Sequence, residues 1–142
     1  MTNLTAQTDV GDANAATYLS LADADSYAEQ RGWDDWTKAS QTKKTAALRA
    51  ASAAVDAAAR WPGVPLSDGL QWPRRRAYGR SSRPTEGVPA EVKNATMEAA
   101  HALLGGTTTG EGEDVLGELS PEVQARIKAT VSYLLPLVPA RA

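Results

Sequence analysis

Five arginines fall within a stretch of ten residues in this chain: Arg74, Arg75, Arg76, Arg80 and Arg83. They stand beside Trp72 and Tyr78, and guanidinium groups mixed with aromatic rings can neutralise a nucleic-acid backbone while the rings stack on bases. Two other readings compete with that one. Arginine forks pair bidentately with the carboxylates of a protein partner, which is the reading expected first, and basic runs are often simply solvated. The aromatic neighbours weigh against DNA here. Trp61 precedes Pro62 and Trp72 precedes Pro73, and such pairs tend to pin a loop by burying the indole, so Trp61 and Trp72 are expected loop anchors.

Other reactive residue types are scarce. The absence of Cys removes disulfides and thiolate sites, and the single His101 leaves neither a zinc cluster of the N/S kind nor an imidazole pair for proton relay. His101 shares a helical face with Asn94 and Glu98, opposite the stripe from Val92 to Ala102, which points to a solvated or partner-facing imidazole. Asp23 and Asp25, or Asp34 and Asp35, are the carboxylate pairs available for acid-base work. Asp23 is better explained by a helix N-terminus, and Asp34 and Asp35 lack the further oxygen ligands of a calcium loop. Gly105, Gly106, Gly110 and Gly112 have neither the lysine nor the preceding strand of a phosphate-binding loop. The chain is expected to be no enzyme, with no catalytic, cofactor-binding or metal-binding residues and no cofactor.

The elements that must position these groups follow from composition and periodicity. A chain of 142 residues suits one domain, but 27 of its apolar residues are Ala, Leu, Ile and Val together number 23, and Phe is absent. Such a core is thin, and alanine favours helices, so the expected fold is all-α: a small bundle of about four helices with extended terminal arms. Residues 1–16 read as a mobile or partner-ordered arm. Ser20 with Asp23 resembles a capping box, opening a helix over 20–31 that Gly32 stops. Trp33 and Trp36 bracket a short turn, and Ser40 caps a helix over 41–60. One face of that helix carries Leu48, Ala51, Val55 and Ala58, and a second carries Ala46, Ala50, Ala53 and Ala57. Residues 61–88 hold four Pro and four Gly and a net charge of +3, a long basic loop in which a short hairpin around Gly69 to Arg76 is allowed. Pro89 suits the first position of a helix with Val92, Ala95, Ala99, Ala102 and Leu103 on one side, ended by Gly105 and Gly106. An acidic loop of net charge −4 occupies 105–119. Ser120 and Pro121 open the last helix, striped by Val123, Ile127, Val131 and Leu134, and Pro136 closes it. One helical domain over 17–135 with a tail at 136–142 is the economical division. The apolar run from Ala129 to Ala140 is too short to span a bilayer and the N-terminus has no signal-peptide pattern, so no membrane partner is expected and the chain reads as soluble and made in the cytoplasm.

Taken in order, TYLSLADADSYAEQRG at 17–32, the WDDW turn, the KKTAALRAAS start of the Ala-rich helix, QWPR at 71–74 and VPAEVKNATMEAAHALL at 88–104 resemble one family of tailed-bacteriophage proteins. Its members are often labelled DnaT-like single-stranded-DNA-binding proteins and are similar to helical head-tail connector, or adaptor, proteins of the phage neck. QWPR followed by VPAEV is the most specific part, and residues 105–142 fall outside the resemblance. The resemblance implies a virion protein at the head-tail junction, made in the host cytoplasm. It implies a homo-oligomeric ring, commonly a dodecamer, beneath the portal protein, with a tail or stopper protein attached below and genomic double-stranded DNA passing through the channel.

Three features accord with such a ring. A ring subunit meets neighbours on two different faces, which suits the two-sided helix at 41–60, and the loops of opposite charge could meet across that contact. The apolar end of the chain, with Tyr133, Leu134, Leu135, Leu137 and Val138, is expected to dock on the portal. The arginines are then expected to touch a neighbouring subunit or the portal. The leading expectation is therefore a structural neck adaptor that joins portal to tail. The alternative is a replication accessory protein that binds single-stranded DNA, disfavoured by a net charge of −2 and a pI near 5.4.

Overall fold

The computed structural model describes residues 6–7, 15–59, 61, 63–66, 70–75, 87–104, 117 and 119–132. Five helices of defined extent lie among them: α1 (Leu21–Arg31), α2 (Asp34–Lys38), α3 (Gln41–Ala57), α4 (Ala90–Leu103) and α5 (Pro121–Val131). The fold is small and all-α, as composition requires. α4 is the central helix, packed against α3 and against α5, while α1 packs on α2.

Capping residues set most of the boundaries. Ser20, Ser40 and Ser120 each accept, through Oγ, the N–H three residues on, at Asp23, Lys43 and Val123. Gly32 ends α1 in the left-handed region at φ 70°, where its N–H reaches the carbonyls of Ala28 and Glu29. Pro89 occupies the N-cap of α4 rather than its first turn. α3 stops at Ala57, earlier than its alanine run suggests. The chain must turn there so that the Trp61 indole Nε1–H can donate to the Asp56 carbonyl at 3.1 Å.

The core is richer in large side chains than the alanine content implies. Trp36, Trp72, Tyr18, Leu48, Met97 and Ile127 are among the largest fully buried residues. The aromatic residues fill the space that a short supply of Leu and Ile leaves. Alanines provide close approach instead: Ala47, Ala51 and Ala54 on α3 and Ala95, Ala99 and Ala100 on α4 are buried between the helices. On the second face of α3, Ala46 is exposed and Ala50, Ala53 and Ala57 are half-buried.

Two segments outside the helices are fixed to this body. Gln7 is buried, takes the Thr17 carbonyl through its backbone N–H at 2.8 Å and donates from Nε2 to the Trp72 carbonyl at 2.9 Å. Ala15 is buried as well, so two positions of the N-terminal arm belong to the packed structure. The second segment is a minimal antiparallel ladder, β1 (Val64–Pro65) with β2 (Arg74–Arg75), in which Val64 faces Arg75 and Pro65 faces Arg74. Its second strand lies where a hairpin is expected, but its partner strand precedes Gly69. Among the described residues no helix is long and apolar enough to cross a membrane.

Candidate nucleic-acid interface

Two clusters of aromatic and charged side chains stand out. The first surrounds Trp72, which is fully buried and meets Trp61 edge-on at 5.6 Å between ring centroids. Its backbone N–H donates to the Tyr18 hydroxyl at 3.1 Å, and that hydroxyl donates to the Asp56 carboxylate. The other Asp56 oxygen accepts the Gln71 N–H at 3.2 Å. Burial pushes the Asp56 carboxyl up to about 6, against the lowering influence of these donors and of the Arg74 charge. Burial also raises Tyr18. The indole Nε1 of Trp72 has no hydrogen-bond partner among the described residues.

Arg74 belongs to this cluster, which corrects its expected role as a contact to a partner or to DNA. The side chain is 8% exposed, and its guanidinium donates to the carbonyls of Trp61, Gly63 and Gln71 and to the Gln71 side chain. A guanidinium held by that many acceptors closes the loop on itself, and burial lowers its affinity for the proton. Arg75 lies in β2. Arg76, Arg80 and Arg83 lie outside the described residues, as do Tyr133, Leu134, Leu135, Leu137 and Val138.

The second cluster joins α2 to the end of α4. Trp33, just before α2, stacks on His101 of α4 with centroids 3.9 Å apart and planes 10° from parallel. Tyr27 approaches Trp33 at 5.5 Å, and the Arg31 guanidinium lies 4.9 Å over the Tyr27 ring. His101 Nε2 meets the Asp35 carboxylate at 2.9 Å, and this bond holds the Asp35 pKa below the usual carboxylate value. His101 is therefore neither free nor simply solvated, contrary to the helical-face reading. Helical phase places it on the side away from the stripe, but that side is where α2 folds over. Nothing in the local sequence signals a pairing between residues so distant; the WDDW turn and the lone histidine are the two halves of the signal.

The stacked pair stands between two clefts. Trp33 lines one of about 380 Å³ with Asp25, Glu29, Gly32, Asp34, Thr37 and Lys44. Lys44 is held by Asp25 at 3.0 Å, leaving that cleft acidic. His101 lines the other, of about 350 Å³, with Asp35, Lys38, Ala39, Ser40, Lys43 and Leu104. Lys38 and Lys43 are exposed and pair with no carboxylate among the described residues. Sequence reasoning passed over both lysines because each looks like ordinary helix-surface charge. No group of three or more His, Asp or Glu side chains suited to a metal ion occurs among the described residues.

A small helical domain with a partly exposed aromatic stack beside unpaired lysines is thus the class the geometry defines. A family model described as "Putative DnaT-like ssDNA binding protein" matches residues 2–131, and the chain belongs to that family. No curated protein and no solved structure matches it. The family match overturns the expectation of a structural neck adaptor and favours the alternative raised beside it. Ring, portal and tail partners find no support in the comparisons, and neither does a place at the head-tail junction.

Proposed function

We propose that the protein binds single-stranded DNA, as a binding protein rather than an enzyme. The observation that carries this reading is the family match, which covers nearly the whole chain. The aromatic stack and the lysines beside it support it, because strand binders that tolerate any sequence combine stacking surfaces with positive charge along the backbone path. With a net charge of −2, attraction must come from local clusters rather than from the whole molecule. Arg74 is committed to the Trp72 cluster, so the phosphate contacts fall to other cations.

Titration of a fluorescein-labelled oligothymidylate by anisotropy, at two salt concentrations, tests the proposal. Affinity in the micromolar range or tighter, weakening with salt by about 0.7 in log–log slope per phosphate contact, is expected for a single-strand binder. Absence of binding at low salt contradicts it.

A further inference from the structure

The two clefts beside the Trp33–His101 stack differ in what they can hold. The Trp33 side carries Asp25, Glu29 and Asp34, with its lysine already neutralised by Asp25, and such a surface repels phosphate. The His101 side carries two unpaired ammonium groups, Lys38 and Lys43, and its one acid, Asp35, is engaged by the imidazole. The His101 side chain keeps 29% of its surface exposed, while Trp33 backs the ring from behind. An imidazole stacked on an indole and bonded through Nε2 to a carboxylate is a fixed platform, so a base stacking on it needs little further ordering. A volume of about 350 Å³ sits within the range of small-ligand sites, roughly 300–1,000 Å³.

We propose that this cleft seats one nucleotide of a DNA strand, with the base stacked on the outer face of His101 and the adjoining phosphate held by Lys38 and Lys43. The inference rests on the single-strand-binding reading and adds the place and the groups. Asp35 acts here as a positioning residue, fixing the ring through Nε2. The acidic cleft on the far side of Trp33 steers the backbone away, giving the strand one preferred side of the stack.

Three variants of the full chain test it against the same labelled oligothymidylate. Lys38→Gln with Lys43→Gln removes two exposed charges without touching a buried group, and is expected to raise Kd roughly tenfold and to reduce the salt slope by about 1.4. His101→Ala is expected to raise Kd roughly tenfold at every salt concentration, with little change of slope, as a stacking loss does. Lys128→Gln, a charge change on α5, controls for net charge and is expected to stay within about twofold of the unaltered chain. Circular dichroism and melting temperature verify that the lysine variant is folded. If the unaltered chain binds and the lysine variant binds equally well with an unchanged slope, the cleft assignment is wrong while the function stands. If the unaltered chain does not bind, both are wrong. Thymidine monophosphate is the second probe: displacement of the oligonucleotide by micromolar amounts would assign the cleft to free nucleotides and overturn the strand assignment.

Discussion

Trp72 and Trp33 both sit on connections between helices, yet the protein uses them in opposite ways. Trp72 is sealed inside, with its backbone bonded to Tyr18 and Gln7 and its neighbours tied by Asp56 and Arg74. Trp33 is only half-buried and is stacked on a histidine that still meets solvent. The difference teaches where charge is spent. Around Trp72 the Arg74 guanidinium is taken up by the carbonyls of Trp61, Gly63 and Gln71, and the Asp56 carboxylate by Tyr18 and the Gln71 N–H, so both charges are spent on closing the loop. Around Trp33 the aromatic surface is held by few bonds and two lysines remain unpaired.

The contrast can be broken at either end. The largest effect is expected from Trp72→Ala, which empties the sealed cluster and should cost about 3–5 kcal/mol in denaturant unfolding. A loss near zero would mean that Trp72 does not close the domain. Next comes acidity. Because the folded carboxyl of Asp56 holds its proton up to about 6, above its ordinary 3.8, the native state binds more protons than the unfolded chain in that window. The stability this group contributes is therefore full below 3.8 and declines as pH rises through about 6, by at most about 3 kcal/mol. Unfolding free energies measured across that window should show the decline in the unaltered chain and a flatter profile in Asp56→Asn.

At the other cluster, Trp33→Ala should cost about 2 kcal/mol of stability, less than a sealed tryptophan, because Trp33 is half-buried but loses its packing on Tyr27 and His101. Its effect on oligonucleotide affinity should be the larger consequence, since His101 loses its backing. The smallest effect is expected at Glu98, which lies between Arg31 at 3.7 Å and Arg126 at 3.3 Å. The Glu98 side chain is only 12% exposed, but both arginines are more than half exposed and Gln keeps the shape and the acceptor, so Glu98→Gln should change stability by about 1 kcal/mol and leave DNA affinity nearly unaltered.

Much of the fold was legible in the sequence because capping chemistry is local. Ser20, Ser40 and Ser120 announce three helix starts, and Gly32 announces a helix end. The Trp72 region was half legible: the Trp-Pro pairs suggest burial, but Arg74 reads as one of five equivalent cations until its guanidinium is seen to fold onto the Trp61 and Gly63 carbonyls. The candidate interface was hardly legible at all. Trp33 and His101 meet only because α2 folds over the end of α4, and no short-range pattern encodes that contact. The shared motifs pointed to the right family, while the role drawn from them followed the neck proteins that the family resembles rather than the single-strand binding it is described by.

The most direct test of the account is to map the oligonucleotide on the protein. Isotope-labelled full chain titrated with oligothymidylate should show amide and side-chain resonances shifting at Trp33, Lys38, Ser40, Lys43 and His101. The indole N–H signals of Trp61 and Trp72 should stay in place. Shifts centred on Trp61 and Trp72, or none at saturating oligonucleotide, would contradict it.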